Sequence, residues 1–74
     1  MDIKELESLR MFHEMAYKEI DDSAIVVVEK GNVDYENNPT IKDYESKGYK
    51  LFDSNRFGSL EGVEGEFLVF VKKK

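Results

Sequence analysis

The sequence predicts an α+β domain, in which an N-terminal helix precedes a β-α-β-β unit that forms a three-stranded sheet with two helices. Residues 2–20 are highly charged, contain no glycine or proline, and space their apolar residues with a helical period. Two short segments, AIVVVEK at 24–30 and EFLVFV at 66–71, are apolar on both alternating faces, as in strands buried on both sides. Between them, Asn38 and Gly48 have the chemistry of helix ends.

Length and composition limit the protein to one small domain. A chain of 74 residues has room for a single core, and its stability is marginal. The absence of cysteine excludes disulfides and thiolate metal sites, and it fits a reducing compartment. The remaining means of stabilisation are good packing and self-association.

The charge and the apolar runs restrict the partners and the location. The longest apolar run, AIVVV at 24–28, is too short to span a bilayer, and the N-terminal segment lacks the apolar core of a signal peptide. We therefore expect a cytoplasmic protein without a membrane partner. The 16 acidic residues outweigh 11 basic ones, which disfavours direct nucleic-acid binding and favours a basic protein partner.

The first predicted helix covers residues 2–20 and has one broad apolar face. A projection at 100° per residue places Phe12 at the edge of this face, and Met11 and Met15 on the opposite, charged side. The acidic Asp2 suits the positive end of the helix dipole. The predicted apolar face consists of Ile3, Leu6, Leu9, His13, Ala16, Tyr17 and Ile20.

The second predicted helix runs from Pro39 to Lys47, with Asn38 as its N-cap. Gly48 follows its last residue and is predicted to have a positive φ, because a left-handed C′ residue favours glycine. Ile41 and Tyr44 share one face of this helix.

The last part of the chain is predicted to contain two strands. The first begins at residue 49, a long turn occupies 53–65, and the final strand covers 66–71. In that final strand, Leu68 and Phe70 are expected to face away from the odd-numbered Phe67, Val69 and Val71. We expect 66–71 to lie between two parallel outer strands. Each helix then covers one face, or both helices share a face and a second copy covers the other.

The segment IKDYESKGYKLF at 41–52 resembles a family of small bacterial and phage domains of unknown function, which have a strand-helix-strand-strand core. In that family, the helix ends in glycine, followed by an aromatic, a polar and two apolar residues, and a last strand often ends in basic residues. The resemblance covers about residues 23–74 and departs from the family at Tyr49, where tryptophan is usual, at the N-terminal helix and at the predicted turn. It implies the fold and carries over no active-site residue. The matching junction residues are Gly48, Tyr49, Lys50, Leu51 and Phe52.

The sequence shows no catalytic, cofactor-binding or metal-binding motif. His13, the only histidine, has no metal-ligand partner at HxxxH or HExxH spacing and is expected to be a partly buried, hydrogen-bonded helix residue. The serines lack a GxSxG or SxxK setting. The glycines at 58, 62 and 65 match neither a phosphate-binding loop nor GxGxxG. We therefore predict no enzyme; an enzyme with His13 as base is the weakest hypothesis.

Two sites are candidates for partner binding. Met11 and Met15 lie one turn apart on the side that faces away from the predicted core, and methionine adapts well to binding surfaces. Arg56 and Phe57, in the predicted turn, are the alternative site.

These candidates lead to two functional hypotheses. The first is a small non-enzymatic protein-interaction or regulatory module, acting on an unknown protein or as a homodimer. The second is a phage-type inhibitor whose acidic face blocks a nucleic-acid-binding defence complex. The basic side chains interspersed in the first helix weaken the second hypothesis: Lys4, Arg10 and Lys18.

Overall fold

The helices and strands appear in the predicted order. The computed structural model describes residues 3–60 and 63–73, so Asp2 lies outside the described residues. The elements are α1 (Ile3–Lys18), β1 (Ile25–Lys30), α2 (Pro39–Ser46), β2 (Tyr49–Leu60) and β3 (Val63–Lys72). The α+β class and the three-stranded sheet with two helices are confirmed.

The sheet has the order β1-β3-β2, with β3 antiparallel to both neighbours. The outer strands β1 and β2 are therefore parallel to each other and connected through α2, as predicted. In the central strand, Val69 lies opposite Val26 of β1, and Phe67 lies opposite Asn55 of β2. The last strand along the described chain thus holds the sheet together.

The apolar side chains divide into two clusters, one on each face of the sheet. On the first face, Phe67 and Val69 pack with Val26 of β1, and α1 covers them through Leu6 and Tyr17. On the second face, the buried residues are Ile41, Leu68 and Phe70. The predicted alternation of β3 is confirmed, and each helix covers a different face of the sheet.

The predicted turn at 53–65 is wrong. β2 continues to Leu60, and β3 already begins at Val63. Asp53 and Asn55 are ladder residues opposite Val69 and Phe67. The run of polar residues and glycines resembles a turn locally, but pairing with the strongly apolar β3 holds it in extended form. A register irregularity after Leu51 accommodates this pairing.

The ends of α2 agree with the sequence prediction. The side chain of Asn38 accepts hydrogen bonds from the backbone N–H groups of Thr40 and Ile41, at 2.9 and 3.2 Å. Pro39 occupies the first turn. Gly48 follows the C-cap residue Lys47 with a φ of 93°, so the predicted positive φ is confirmed. The chain then enters β2 directly.

Replacing Gly48 by alanine is expected to cost about 1 kcal/mol of unfolding free energy, because a side chain strains this left-handed conformation. The new Cβ would lie 3.8 Å from the Lys72 side chain, so steric overlap adds nothing. Urea unfolding measures the loss. Lys47→Ala is the control, since Lys47 has a φ of −89°. Equal stability of Gly48→Ala and the parent would contradict the assignment.

Candidate functional site

Two charged side chains orient α1 on the sheet. Arg10 Nη1 donates a hydrogen bond to the carbonyl oxygen of Val26 at 3.1 Å, and Glu14 Oε2 accepts one from the N–H of Val26 at 3.4 Å. Arg10 and Glu14 also form an ion pair at 3.0 Å. The pair therefore satisfies outward backbone groups of the edge strand β1, where another strand would otherwise bind.

The electrostatics of this contact favour an ionised Glu14. Burial alone would raise the pKa of its carboxyl group. The hydrogen bonds from Lys18 and from the backbone of Val26, with the charges of Lys18 and Arg10, outweigh burial and hold the pKa below its usual value. The anionic form that the contact with β1 requires is thus the stable form at neutral pH.

The predicted apolar face of α1 is only partly correct. Leu6, His13 and Tyr17 are partly buried against the sheet. Leu9, Ala16 and Ile20, which were predicted on the same face, are exposed instead. The physical reason is the Arg10–Glu14 contact with Val26, which rotates the helix so that these charged residues lie above β1.

This rotation leaves a series of large apolar side chains exposed along α1 and the turn after it, here called the outer surface of α1. These side chains are far more exposed than the buried apolar residues of the core, whose exposed fractions are at or below 3%. Met11 and Met15 point away from the sheet, as predicted. The outer surface consists of Leu9 (38%), Met11 (57%), Phe12 (72%), Met15 (69%) and Ile20 (71%).

A groove runs beside the C-terminal half of α1, over β2. A depression of about 350 Å³ is lined there by His13, Ala16, Tyr17, Ile20 and Asn55. It lies where α1, which packs mainly on β1 and β3, reaches β2 through the Tyr17 side chain.

The floor of the groove is a hydrogen-bonded polar group. The Tyr17 hydroxyl donates to the Asp53 carboxylate at 2.5 Å and accepts from the Asn55 side-chain amide at 3.0 Å. The bond to Asp53 raises the pKa of Tyr17, which stays protonated at neutral pH. The Tyr17 ring also meets the exposed ring of Phe52 edge-on, with centroids 6.3 Å apart. These contacts fix the position of the Tyr17 ring. The apolar lining residues Ala16 and Ile20 take no part in them.

The His13 ring lies against the sheet and lines the depression. Its ring packs on Phe67 with centroids 4.8 Å apart, so aromatic packing occurs where a hydrogen bond was predicted. None of the residues that line the depression with it carries a carboxylate. Within residues 3–60 and 63–73, no group of three or more potential ligands could hold a metal ion.

The structure separates the second pair of candidate residues. Phe57 is partly buried and packs on Phe67, with ring centroids 5.1 Å apart, so it belongs to the core under α1. Arg56 is exposed, lies opposite Glu66 and pairs with Glu64 at 3.8 Å. As neighbours in a strand, the two side chains point to opposite faces. They therefore do not form a common surface with Met11 and Met15.

Among the residues missed by sequence reasoning, Leu9, Phe12 and Ile20 matter most, because they contribute to the outer surface. Their helical spacing was visible, but Leu9 and Ile20 were assigned to the core face and Phe12 to its edge. Phe52 was also left without a surface role, although almost half of it is exposed.

Comparison of the chain with protein-family models, curated proteins and solved structures found no match. The resemblance of residues 23–74 to the small bacterial and phage domains thus stays a prediction. Neither of the two helices in the described part of the chain has the length and apolar character needed to cross a membrane.

Proposed function

We propose that this protein is a small, non-enzymatic interaction module that binds another protein through the outer surface of α1. The observation that carries the proposal is the exposure of five large apolar side chains on one helix and its following turn. Both faces of the sheet already have their own buried clusters, so these side chains are not needed to complete the core. A cytoplasmic location belongs to the same proposal.

The arrangement of these side chains supports binding more strongly than their number does. Single exposed apolar residues are ordinary, whereas a contiguous patch marks an interaction site. Met11 and Met15 are four residues apart, and Leu9 and Phe12 are three apart, so each pair forms neighbours on the helix surface. The flexible methionines allow the patch to adapt to a partner.

The alternative, an inhibitor that presents an acidic face to a nucleic-acid-binding complex, has less support. Two carboxylates of α1 are engaged by basic side chains of the same helix. Arg10 bonds to Glu7 and Glu14, each at 3.0 Å, and Lys18 pairs with Glu14 at 3.2 Å. A helix with this internal neutralisation is a poor imitation of a phosphate backbone.

The double substitution Met11→Glu/Met15→Glu is expected to leave the fold intact and to weaken partner binding at least tenfold. Both side chains are exposed and lie outside the two core clusters. New carboxylates would place charge at the centre of the contact, where interfaces are depleted of it. Affinity chromatography on the immobilised protein, followed by titration of the retained partner, measures the effect. Sedimentation of the free protein tests a homodimer.

The control is Lys42→Glu, which makes the same change in net charge on the exposed surface of α2. This control is expected to bind the partner as the parent does. Unfolding of the double variant would show that the methionines support the core, and the proposal would be wrong. Unchanged binding and unchanged mass would place the working surface elsewhere.

A further inference from the structure

We propose that the partner of the outer surface is a second copy of this chain, bound through α1 in an antiparallel contact with two-fold symmetry. This inference rests on the proposed function and names the partner. The contact uses Met11, Phe12 and Met15 of the outer surface, whereas Leu9 and Ile20 lie to one side of it. The observation that carries the inference is a symmetric arrangement of side chains along the helix.

These side chains form a stripe on the side of α1 that faces away from the sheet. Leu6, His13 and Tyr17 pack against the sheet, and Arg10 bonds to β1. At 100° per residue, six residues lie within about 50° of the direction opposite to these four. All six are exposed. The stripe consists of Lys4, Ser8, Met11, Phe12, Met15 and Glu19.

Glu19 belongs to this stripe although α1 ends at Lys18. The N–H of Asp21 bonds to the carbonyl oxygen of Tyr17 at 2.9 Å, which is the four-residue step of an α-helix. The backbone therefore follows a nearly helical path past Glu19, and the exposed side chain of this residue continues the stripe. From Lys4 to Glu19 the stripe is about 22 Å long, at about 1.5 Å per residue.

The positions along the stripe are symmetric about the midpoint between Met11 and Phe12. Lys4 lies seven residues before Met11, and Glu19 lies seven residues after Phe12. When two copies pack antiparallel about this midpoint, Lys4 of each copy lies at the height of Glu19 of the other. The two ends of the contact are then equivalent, as an isologous two-fold interface requires.

The centre of this contact is apolar. Met11 and Phe12 of both copies meet there, and each of these side chains is more than half exposed in the single chain. Ser8 of each copy lies beside Met15 of the other, so a small side chain faces a long, adaptable one. The stripe thus provides the apolar centre and the charged rim that protein interfaces have.

The charges at the ends of the stripe favour a second copy in the antiparallel orientation. Neither Lys4 nor Glu19 has an ion-pair partner among residues 3–60 and 63–73. An antiparallel pair gives two equivalent Lys4–Glu19 contacts, whereas a parallel pair places like charges together at both ends. Lys18, near the same end, is already paired with Glu14 at 3.2 Å.

The helix itself gives no reason for this placement of charge. A helix dipole favours acidic side chains at the N-terminus and basic side chains at the C-terminus. Lys4 in the first turn and Glu19 just past the last turn are the reverse of that preference. Pairing with a second copy supplies each of them with an opposite charge, which the dipole of its own helix does not.

Sedimentation equilibrium of the free protein tests the inference. The parent is expected to reach twice the mass of one chain as its concentration rises. Met11→Glu/Met15→Glu is expected to lower the association constant at least tenfold, because it places charge in the apolar centre. Lys42→Glu, with the same change in net charge on exposed α2 surface, is expected to associate like the parent. Thermal melts verify that each variant is folded.

Charge reversal at the ends tests the pairing of Lys4 with Glu19. Lys4→Glu and Glu19→Lys are each expected to lower the association constant at least fivefold, since each creates two like-charge contacts. An equimolar mixture of these two variants is expected to associate within about threefold of the parent, because opposite charges then meet at both ends. In a parallel dimer, either single change would replace one like-charge contact by another and leave the association constant unchanged.

Disulfide cross-linking tests the orientation, because the chain has no cysteine of its own. Under mild oxidation, Ser8→Cys mixed with Met15→Cys is expected to give a mixed disulfide. Ser8→Cys alone is expected to give none, since the two positions would lie seven residues apart along the helices, about 10 Å, and a disulfide needs Cα atoms within about 7 Å.

The outcomes separate this inference from the proposed function. A parent that stays monomeric at every concentration, a dimer unaffected by the methionine or charge variants, or a disulfide formed by Ser8→Cys alone would overturn the inference. If the parent is monomeric and retains a different protein that Met11→Glu/Met15→Glu loses, the inference fails and the proposed function stands. If the parent neither associates with itself nor binds a protein through the methionines, both fail.

Discussion

Replacing Phe70 by alanine is expected to lower the free energy of unfolding by about 3–5 kcal/mol. Phe70 lies in the central strand and is 0% exposed, in contact with Leu68 and Ile41 of the same cluster. Its ring stacks on Tyr44 of α2 with centroids 4.5 Å apart and planes 15° apart. Removing it leaves a cavity between the sheet and α2 that a short helix cannot close without losing its other contacts.

The loss would consume much of the stability of so small a domain, which is about 5–15 kcal/mol in most proteins. Thermal and urea unfolding of parent and variant measure it. Phe52→Ala is the matched control, since Phe52 is 49% exposed and its removal creates no buried cavity. A Phe70→Ala variant that melts within a few degrees of the parent would mean that the cluster under α2 is not the principal core.

Substitution of Gly65 by alanine is expected to cost about 1–3 kcal/mol or more, the range for overpacking a well-packed interior. Gly65 is buried in β3 and pairs with Lys30 on one side and Phe57 on the other. An added Cβ would lie 2.4 Å from the carbonyl oxygen of Glu29 and 2.6 Å from Phe57 Cζ. The Glu29 oxygen belongs to the sheet backbone, so it cannot move without disturbing the pairing of β1 and β3.

Urea unfolding of Gly65→Ala and Gly31→Ala distinguishes overpacking from backbone strain. Gly31 has a φ of 83°, but a Cβ there would meet nothing within 4 Å. We expect the larger loss at Gly65. The reverse order would show that β1 and β2 separate easily from this end of β3.

Local signals in the sequence were sufficient for most of the fold. The N-cap at Asn38, the positive φ of Gly48 and the alternation of Leu68 and Phe70 each depend on residues close together in the chain, and each is confirmed. The central position of β3 also follows from its apolar character on both faces. These features do not depend on the exact placement of α1.

The orientation of α1 was not predictable from its own sequence. A helical projection treats Arg10 and Glu14 as solvent-facing because they are charged. Their burial is favourable only because Val26 of an edge strand offers an unpaired N–H and carbonyl at that position. Val26 lies 16 residues from Arg10 in the sequence, so the periodicity of the helix alone does not predict this contact.

The candidate site, like the fold, was predictable from the sequence only in part. The exposure of Met11 and Met15 was predicted from helical periodicity and is confirmed. The groove beside β2 was not predicted, because it results from the sideways position of α1 and from the unexpected length of β2. A polar segment such as Asp53–Asn55 becomes a strand through distant pairing, which local propensity does not reveal.

The central position of β3 has a consequence for biosynthesis. Until the ribosome has made β3, β1 and β2 lack the strand with which both of them pair, because neither contacts the other in the sheet. The apolar side chains of β1 stay accessible to chaperones during that interval, and non-local pairing of this kind is slow. We therefore expect the sheet to form late in synthesis, once β3 has left the ribosome.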